Sequence, residues 1–353
     1  MNTTEYTDQF INEDNEEIFN TINEMRDLTE KTFNYYKKSL IKIAYMTNTN
    51  SQAKSSLRLM LLDADKVILY LKSKGIPYQH NLICIVIVCL TALQKIWVGK
   101  TDELSSSMNK LRDRQVRIKT LLMENKCSNK KSDKENENWC SYEDLVKCCK
   151  KRKLIVDKIW KNRETKPMTI EDLFEIQKWV LCGLYVGDRN NPPLRLDYIN
   201  MIINHNDAFI DEDSLQAKNN LYIKSSRTKS FYLQEYKTVK KYGNKVIKLQ
   251  PYLNKMINRW IEARRLYSEG KEDYVGGNSL LFNRALQPFT ESTCCSYIKD
   301  AFSLTTKNIT VNLIRHIYIS DLTQEMSYEE RKRISSLMCH NLDTQISYIK
   351  KDD

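Results

Sequence analysis

Apolar residues recur at the three- and four-residue spacing of amphipathic helices through the first third of the chain. The helices that this spacing predicts lie near residues 32–46, 57–74, 81–95 and 101–123. The uniformly apolar run at 82–93 is too short to cross a bilayer, so we interpret it as a buried core helix rather than a membrane segment. Residues 31–123 are therefore expected to form a compact all-α domain.

The period of the pattern changes in the second half of the chain. Helical spacing continues at 141–152 and 173–186, and it returns from Pro251 onward, ending in a short helix predicted at 343–350. Between them lie three short apolar or alternating segments, at 221–224, 231–237 and 245–249. The sequence thus predicts a mainly α protein, in which an all-α domain precedes an α-rich domain with a small antiparallel β-sheet of three strands.

Polar and charged stretches set the expected domain boundaries. Residues 124–138 contain no apolar residue except Cys127 and are read as a linker to a second domain at 139–353, although a long surface loop inside one domain fits as well. Residues 1–30 hold nine acidic residues and one basic residue. That stretch is expected to be flexible, or a loose helix at most.

The charge distribution indicates a polyanionic partner. The whole chain has a net charge of +11, and residues 1–30 carry −8, so residues 31–353 carry +19. Nucleic acid is the first partner that such a basic body suggests, although a basic protein without such a partner has the same balance. Charged helix faces are often merely solvated. The candidate phosphate contacts in the first domain are Lys37, Lys38, Arg112, Arg114 and Arg117.

The ten cysteines form no CxxC pair, and the adjacent pairs at 148–149 and 294–295 are poorly spaced for tetrahedral zinc or for a mutual disulfide. We expect reduced thiols and neither a metal site nor a cofactor.

Residues able to act on a phosphodiester occur in a distinctive order. Arg195 ends a Pro-Pro-Leu-Arg segment, and Lys237 lies on the predicted hairpin. The chain then reads Asn312-Leu-Ile-Arg315-His, followed by His340 and by Tyr348 near the C-terminus. This order, on these predicted elements, resembles the tyrosine recombinase (phage integrase) family, and the Pro-Pro-Leu-Arg form is most similar to integrases of large eukaryotic DNA viruses and their mobile elements.

The resemblance implies a role for each of these residues. Tyr348 would attack the phosphorus and hold the DNA as a 3′-phosphotyrosyl ester. Arg195 and Arg315 would bind the non-bridging oxygens, Lys237 would protonate the leaving oxygen, and His340 would hydrogen-bond the phosphate. His316 is expected to support the fold of its segment rather than to contact the substrate.

Each of these residues also has a purely structural interpretation. Arg195 could form a salt bridge with Asp197 or Asp172, and Tyr348 and His340 could simply pack. Four other lysines near the predicted hairpin compete with Lys237: Lys240, Lys241, Lys245 and Lys248.

Two features depart from the family pattern. Asn312 stands where the family has His, and it can donate a hydrogen bond but cannot shuttle a proton. The spacing from His340 to Tyr348 is one residue shorter than usual, which on a helix would rotate the tyrosine by about 100°.

The resemblance implies a metal-independent, site-specific recombinase or integrase that acts on double-stranded DNA as a homotetramer, inside the host cell, in the nucleus or a cytoplasmic viral factory. A weak or inactive DNA-binding protein on the same scaffold, an enzyme like topoisomerase IB or a telomere resolvase, and a helical adaptor for acidic proteins remain alternatives.

Overall fold

The computed structural model describes residues 13–48, 54–127, 129–205, 218–269, 277–322 and 326–351. It divides into two compact units, Met1–Ser128 and Asn129–Asp353, each with its own hydrophobic core. The predicted fold class is confirmed, because the described part of the first unit is helical and the second is α-rich with one small sheet.

The first unit is a helical bundle around one apolar helix. Its α-helices are α1 (Glu13–Arg26), α2 (Glu30–Thr47), α3 (Leu57–Leu62), α4 (Ala64–Lys72), α5 (Ile76–Ile96) and α6 (Thr101–Cys127). By length and composition α5 could cross a membrane, but residues along most of its length, from Gln79 to Leu93, are buried in the core of the unit. It therefore serves as the central core helix.

The acidic N-terminal stretch contributes to this core, which corrects the expectation of a flexible segment for its described part. Ile18, Phe19 and Ile22 on α1 are almost fully buried, and Lys37 lies over the rings of Phe19 and Phe33. The acidic composition of residues 1–30 obscured a short apolar stripe with helical spacing. Burial of that stripe holds α1 in place. Residues 1–12 lie outside the described residues.

The second unit packs its helices around α9. Its α-helices are α7 (Asp133–Asn138), α8 (Tyr142–Asn162), α9 (Ile170–Val186), α10 (Val239–Tyr242), α11 (Pro251–Ser268), α12 (Glu291–Ala301), α13 (Val311–Leu322), α14 (Tyr328–Leu337) and α15 (Leu342–Ile346). Gly183 lies where α9 approaches α11 closely, and a Cβ there would collide with the side chain of Met256.

The predicted linker at 124–138 is largely helical. Helix α6 continues to Cys127, and α7 begins at a capping box in which Ser132 and Glu135 satisfy each other's backbone N–H groups. The division between the units, at 128/129, falls inside the predicted linker.

The sheet has four strands rather than three: β1 (Ile202–His205), β2 (Asn220–Ile223), β3 (Lys229–Leu233) and β4 (Lys245–Lys248). The unpredicted β1 pairs in parallel with β2, while the other two pairings are antiparallel. Strand β3 ends four residues before the predicted end at Lys237. The side-chain oxygen of Asn219 accepts hydrogen bonds from the backbone N–H groups of Gln234 and Glu235, at 2.9 Å each, and draws the chain away from the ladder.

The burial of α1 can be tested by truncating its core side chain. Ile22→Ala is expected to lower the free energy of unfolding by about 2–5 kcal/mol, because the cavity opens in a fully packed core. Glu24→Ala, on the exposed face of the same helix, should change it by at most about 0.5 kcal/mol. Urea denaturation measures both values, and equal effects would contradict the packing of α1.

Candidate active site

The guanidinium group of Arg315 lies at the centre of the candidate site. Arg315 is on α13 and is 1% exposed. Its Nη1 donates to the carbonyl of Pro193, its Nη2 donates to Nδ1 of His340 at 3.2 Å, and its Nε donates to the Tyr348 hydroxyl at 3.4 Å. These bonds use three of its five N–H groups, so two remain for a bound anion. Three separate segments of the chain are thus joined by one buried cation.

His340 is placed by the turn that ends α14. Cys339 takes a left-handed conformation, with φ of 55°, and the N–H groups of His340 and Cys339 bond back to the carbonyls of Ser335 and Ser336. This is a Schellman motif, with cysteine at the position that glycine usually occupies. It directs the His340 ring into the protein, where it stacks on the Tyr348 ring at a centroid distance of 5.4 Å.

The protonation of His340 follows from its partners. Arginine only donates, so Nδ1 accepts and Nε2 carries the proton. Burial, reinforced by the charges of Arg315 and Arg195, lowers the pKa of His340 to about 3, so the ring is neutral at physiological pH. The buried Nε2 has no hydrogen-bond partner among the described residues. It is therefore a donor ready for an acceptor such as a phosphate oxygen.

Tyr348 does not lie on a helix, which corrects the predicted helix at 343–350. Helix α15 ends at Ile346, and the Tyr348 N–H closes a turn onto the Gln345 carbonyl at 2.9 Å. The rotation argued from the short spacing to His340 therefore does not apply. The turn brings the tyrosine ring against both His340 and Arg315, whose Cζ lies 5.1 Å from the ring centroid.

The phenol of Tyr348 is activated by its surroundings. Burial alone would raise its pKa, but the charge of Arg315, its hydrogen bond to the hydroxyl and the charge of Arg195 bring the pKa below its ordinary value. Only 9% of the residue is exposed. The site thus stabilises the phenolate relative to a tyrosine in water.

Arg195 is half-buried on the loop after α9. Its backbone N–H donates to the Asp197 carboxylate at 3.0 Å. Within the described residues no ion pair joins its side chain to Asp197 or Asp172, the partners of the structural interpretation, and Asp172 instead caps α9 through Thr169. Arg195 lines a cavity of about 720 Å³, whose lining does not include Arg315, His340 or Tyr348. Its charge nevertheless lowers the pKa of both His340 and Tyr348.

Lys237 lines the same cavity and is exposed. It lies in the loop between β3 and α10 rather than on the predicted strand. The neighbouring Thr238 donates to the carbonyl of Cys339 at 2.8 Å, which ties this loop to the turn before His340. Among the competing lysines, Lys245 is bonded to the carbonyl of Ser336, and Lys240, Lys241 and Lys248 do not line the cavity.

Asn219 is a site residue that the sequence analysis missed. Its side-chain NH₂ donates to the carbonyls of Asp197 and Glu235, at 2.9 and 2.8 Å, in addition to the two bonds that its oxygen accepts. The Arg195 and Lys237 loops are therefore held together by one buried amide. A lone asparagine before a strand offers no local signal for such a role, because its partners are distant in sequence.

Asn312 and His316 both lie on α13, but only His316 contacts Tyr348. Asn312 is exposed, and no hydrogen bond in the described chain joins it to Arg315, His340 or Tyr348. The structure thus brings Tyr348, Arg315 and His340 into contact, with Arg195 near enough for its charge to act on all three, and leaves Asn312 outside. Lys237 lines the cavity beside Arg195, and no contact joins it to the cluster within the described residues. The Nδ1 of His316 bonds the backbone carbonyl of Tyr348 at 2.9 Å, which fits the supporting role expected for it.

The candidate phosphate contacts all lie in the first unit. Lys38, Arg112 and Arg117 are exposed, as a phosphate contact requires. Arg114 donates to the Gln79 side chain at 2.8 Å, and Lys37 covers aromatic rings, so these two contribute to packing. Within the described ranges, no three His, Cys, Asp or Glu side chains are grouped so that they could hold a metal ion.

Comparison with known proteins found likeness at the level of structure. No family model and no curated protein matches the chain. The crystal structure of XerA recombinase aligns over 97% of this chain and 95% of its own, with 12% sequence identity and a TM-score of 0.37. A likeness this weak supports no argument about function, which must come from the site itself.

The lowered pKa of the Tyr348 phenol can be tested by titration. The difference in tyrosinate absorbance between the wild type and Tyr348→Phe should show one phenol that ionises below the ordinary pKa of about 10, because two guanidinium groups stabilise the phenolate. Arg195→Gln should move this titration to higher pH. Lys237→Gln removes a charge from the same cavity and serves as the control. A wild-type midpoint at or above the ordinary value would contradict this account.

Proposed function

We propose that the chain is a tyrosine recombinase, a site-specific DNA recombinase or integrase that cuts and rejoins double-stranded DNA through a 3′-phosphotyrosyl intermediate. The observation that carries the proposal is the contact of the Tyr348 hydroxyl with the buried guanidinium of Arg315, with the neutral His340 stacked beside it. A tyrosine that only packs in a core needs no cation at its hydroxyl, such as Arg315 here. Nor does it need a nearby N–H donor without a partner, such as Nε2 of His340.

The reaction proposed is a transesterification. The Tyr348 oxygen, as the phenolate whose proton has passed to solvent, forms a bond to phosphorus while the bond from phosphorus to the 5′-oxygen breaks, and the leaving oxygen takes up a proton. Arg315 and Arg195 would stabilise the charge on the non-bridging oxygens, each worth about 3 kcal/mol in the transition state. The Nε2–H of His340 would donate to the same group. A 5′-hydroxyl of the partner strand reverses the step and reseals the DNA, so no external energy source is needed.

Lys237 would supply the proton that the leaving 5′-oxygen requires. It faces the cavity that Arg195 lines, and the Thr238 bond holds its loop against the turn before His340. A lysine ammonium can act as a general acid when it lies within hydrogen-bond reach of the leaving oxygen.

Access to the site requires movement. Arg315 and His340 are almost fully buried beneath Tyr348. A phosphate that contacts both arginines would displace part of this packing, with the cavity beside Arg195 as the route of entry.

The substrate proposed is duplex DNA, held on the first unit through phosphate contacts that include Lys38, Arg112 and Arg117. Strand exchange would need two DNA segments and four protomers. The Pro-Pro-Leu-Arg resemblance is the basis for proposing a viral or mobile genome as the target, acted on in the nucleus or in a cytoplasmic viral factory.

The central test is covalent trapping on nicked suicide duplexes taken from the ends of the chain's own genome. The wild type is expected to form a denaturation-resistant adduct that Tyr348→Phe abolishes. Tyr328→Phe, which alters an exposed tyrosine on α14, is the matched control and should form the adduct normally. Arg195→Ala should lose cleavage while it retains DNA affinity.

Other outcomes would identify the alternatives. DNA binding without any adduct would contradict the proposal and indicate a non-catalytic DNA-binding scaffold. An adduct with relaxation of supercoiled plasmid by a monomer, without a specific site, would indicate a topoisomerase.

The affinity of the protein for DNA is expected to fall steeply as the salt concentration rises, because the binding depends on contacts with phosphates. Arg112→Gln should reduce the slope of log affinity against log salt by about 1, the contribution of one phosphate contact. Arg114→Gln, whose parent side chain bonds Gln79, should change the slope less. Equilibrium titrations at several salt concentrations measure both slopes, and an unchanged slope for Arg112→Gln would remove this residue from the interface.

A further inference from the structure

The segment that follows the boundary between the units lies along the C-terminal tail that carries Tyr348. The backbone N–H of Lys351 donates to the carbonyl of Asn129 at 3.0 Å, and Lys130 and Lys351 form a parallel bridge. The ammonium group of Lys350 donates to the carbonyl of Lys130, also at 3.0 Å. Backbone pairing thus fixes the chain just beyond the tyrosine.

Glu135 on α7 links this segment to the candidate site. Its carboxylate accepts from the backbone N–H and the hydroxyl of Ser132, both at 2.8 Å, which closes the capping box. It also lies 3.4 Å from the ammonium of Lys350 and 3.7 Å from Nε2 of His316. The Glu135 side chain is 21% exposed and that of Lys350 is 16% exposed, so solvent screens this ion pair only in part.

His316 holds the backbone of Tyr348 beside this ion pair. A carbonyl only accepts, so Nδ1 of His316 carries the proton that the Tyr348 carbonyl receives. Burial lowers the pKa of His316, although the Tyr348 carbonyl and the Glu135 charge oppose that shift, so the ring is neutral at neutral pH and Nε2, on the Glu135 side, carries a lone pair. Glu135 therefore makes its attractive charge interaction with Lys350 rather than with His316. The His316 ring also packs against the Tyr348 ring at a centroid distance of 4.8 Å.

We propose that Glu135 is a positioning residue that acts through Lys350, two residues beyond Tyr348, to hold the backbone of Tyr348, so that the segment following the first unit determines where the nucleophile lies. This inference rests on the proposed function. It assigns a role in the reaction to a residue from a stretch that the sequence analysis took for a simple linker.

A capping role alone would account for Glu135 without any effect on Tyr348, and one substitution separates the two roles. Glu135→Gln keeps the chain length and the capping box, which accepts glutamine, but it removes the charge that faces His316 and Lys350. Glu137→Gln makes the same change on the same helix, at an exposed side chain, and is the matched control.

The experiment measures three quantities on the full chain: the single-turnover cleavage rate on a suicide duplex, the DNA affinity, and amide hydrogen exchange in the peptide that contains Tyr348. Glu135→Gln is expected to slow cleavage about tenfold through misplacement of the nucleophile, with unchanged affinity. Amide hydrogen exchange in the peptide that contains Tyr348 should become faster in Glu135→Gln than in the wild type. Glu137→Gln should match the wild type in all three.

A double substitution tests whether the effect passes through Lys350. In a Lys350→Gln background, Glu135→Gln should cause no further loss of rate, because the cation that Glu135 holds is gone. Fully additive losses would overturn the proposed route through Lys350.

The outcomes also separate this inference from the proposed function. If the wild type cleaves and Glu135→Gln cleaves equally fast with unchanged exchange, the positioning role is wrong and the proposed function stands. If the wild type forms no adduct, the proposed function fails and hydrogen exchange alone decides the positioning role. Faster exchange in Glu135→Gln but not in Glu137→Gln then supports it, and equal exchange overturns it.

Discussion

The burial of the Arg315 guanidinium is the constraint on which the rest of the candidate site depends. A buried cation is costly unless its N–H groups are satisfied, and here the partners come from the Pro193 loop, the turn at His340 and the tail at Tyr348. Loss of any partner would leave part of that cost uncompensated. The same interactions that fold the C-terminal part of the second unit therefore also assemble the groups suited to phosphoryl transfer.

Two further sets of contacts hold the segments around the Arg315 cluster in place. Asn219 holds the Arg195 loop to the Lys237 loop, and Thr238 fixes the latter to the Cys339 turn. On the opposite side, Glu135 pairs with Lys350, and His316 bonds the carbonyl of Tyr348. Tyr348, the proposed nucleophile, is thus held by its backbone as well as by its hydroxyl, which is the kind of preorganisation that the proposed reaction requires. A phosphate that reaches both arginines in that reaction would displace part of this packing.

Helical periodicity and capping signals were sufficient to predict most helices, because those signals are local. Three residues of the motif order, Arg315, His340 and Tyr348, lie in contact in the structure, while the roles of these residues and of Arg195 and Lys237 stay proposals. What failed depends on contacts between distant residues. Strand β1 is defined by its partner β2, β3 is shortened by Asn219, and α1 is held by burial of an apolar stripe that its acidic composition concealed. The position of Tyr348 depends on a tertiary turn rather than on helix geometry, so spacing could not predict it.

The most direct measurement is to locate the attached nucleotide in the covalent adduct by mass spectrometry. Trypsin cleavage after Arg333 and Lys350 releases a peptide of residues 334–350, in which Tyr348 is the single tyrosine. The account predicts that nucleotide mass is attached to this peptide and that fragmentation assigns it to the Tyr348 side chain. Nucleotide attached to any other peptide, or an adduct that persists in Tyr348→Phe, would contradict the central claim that Tyr348 is the nucleophile.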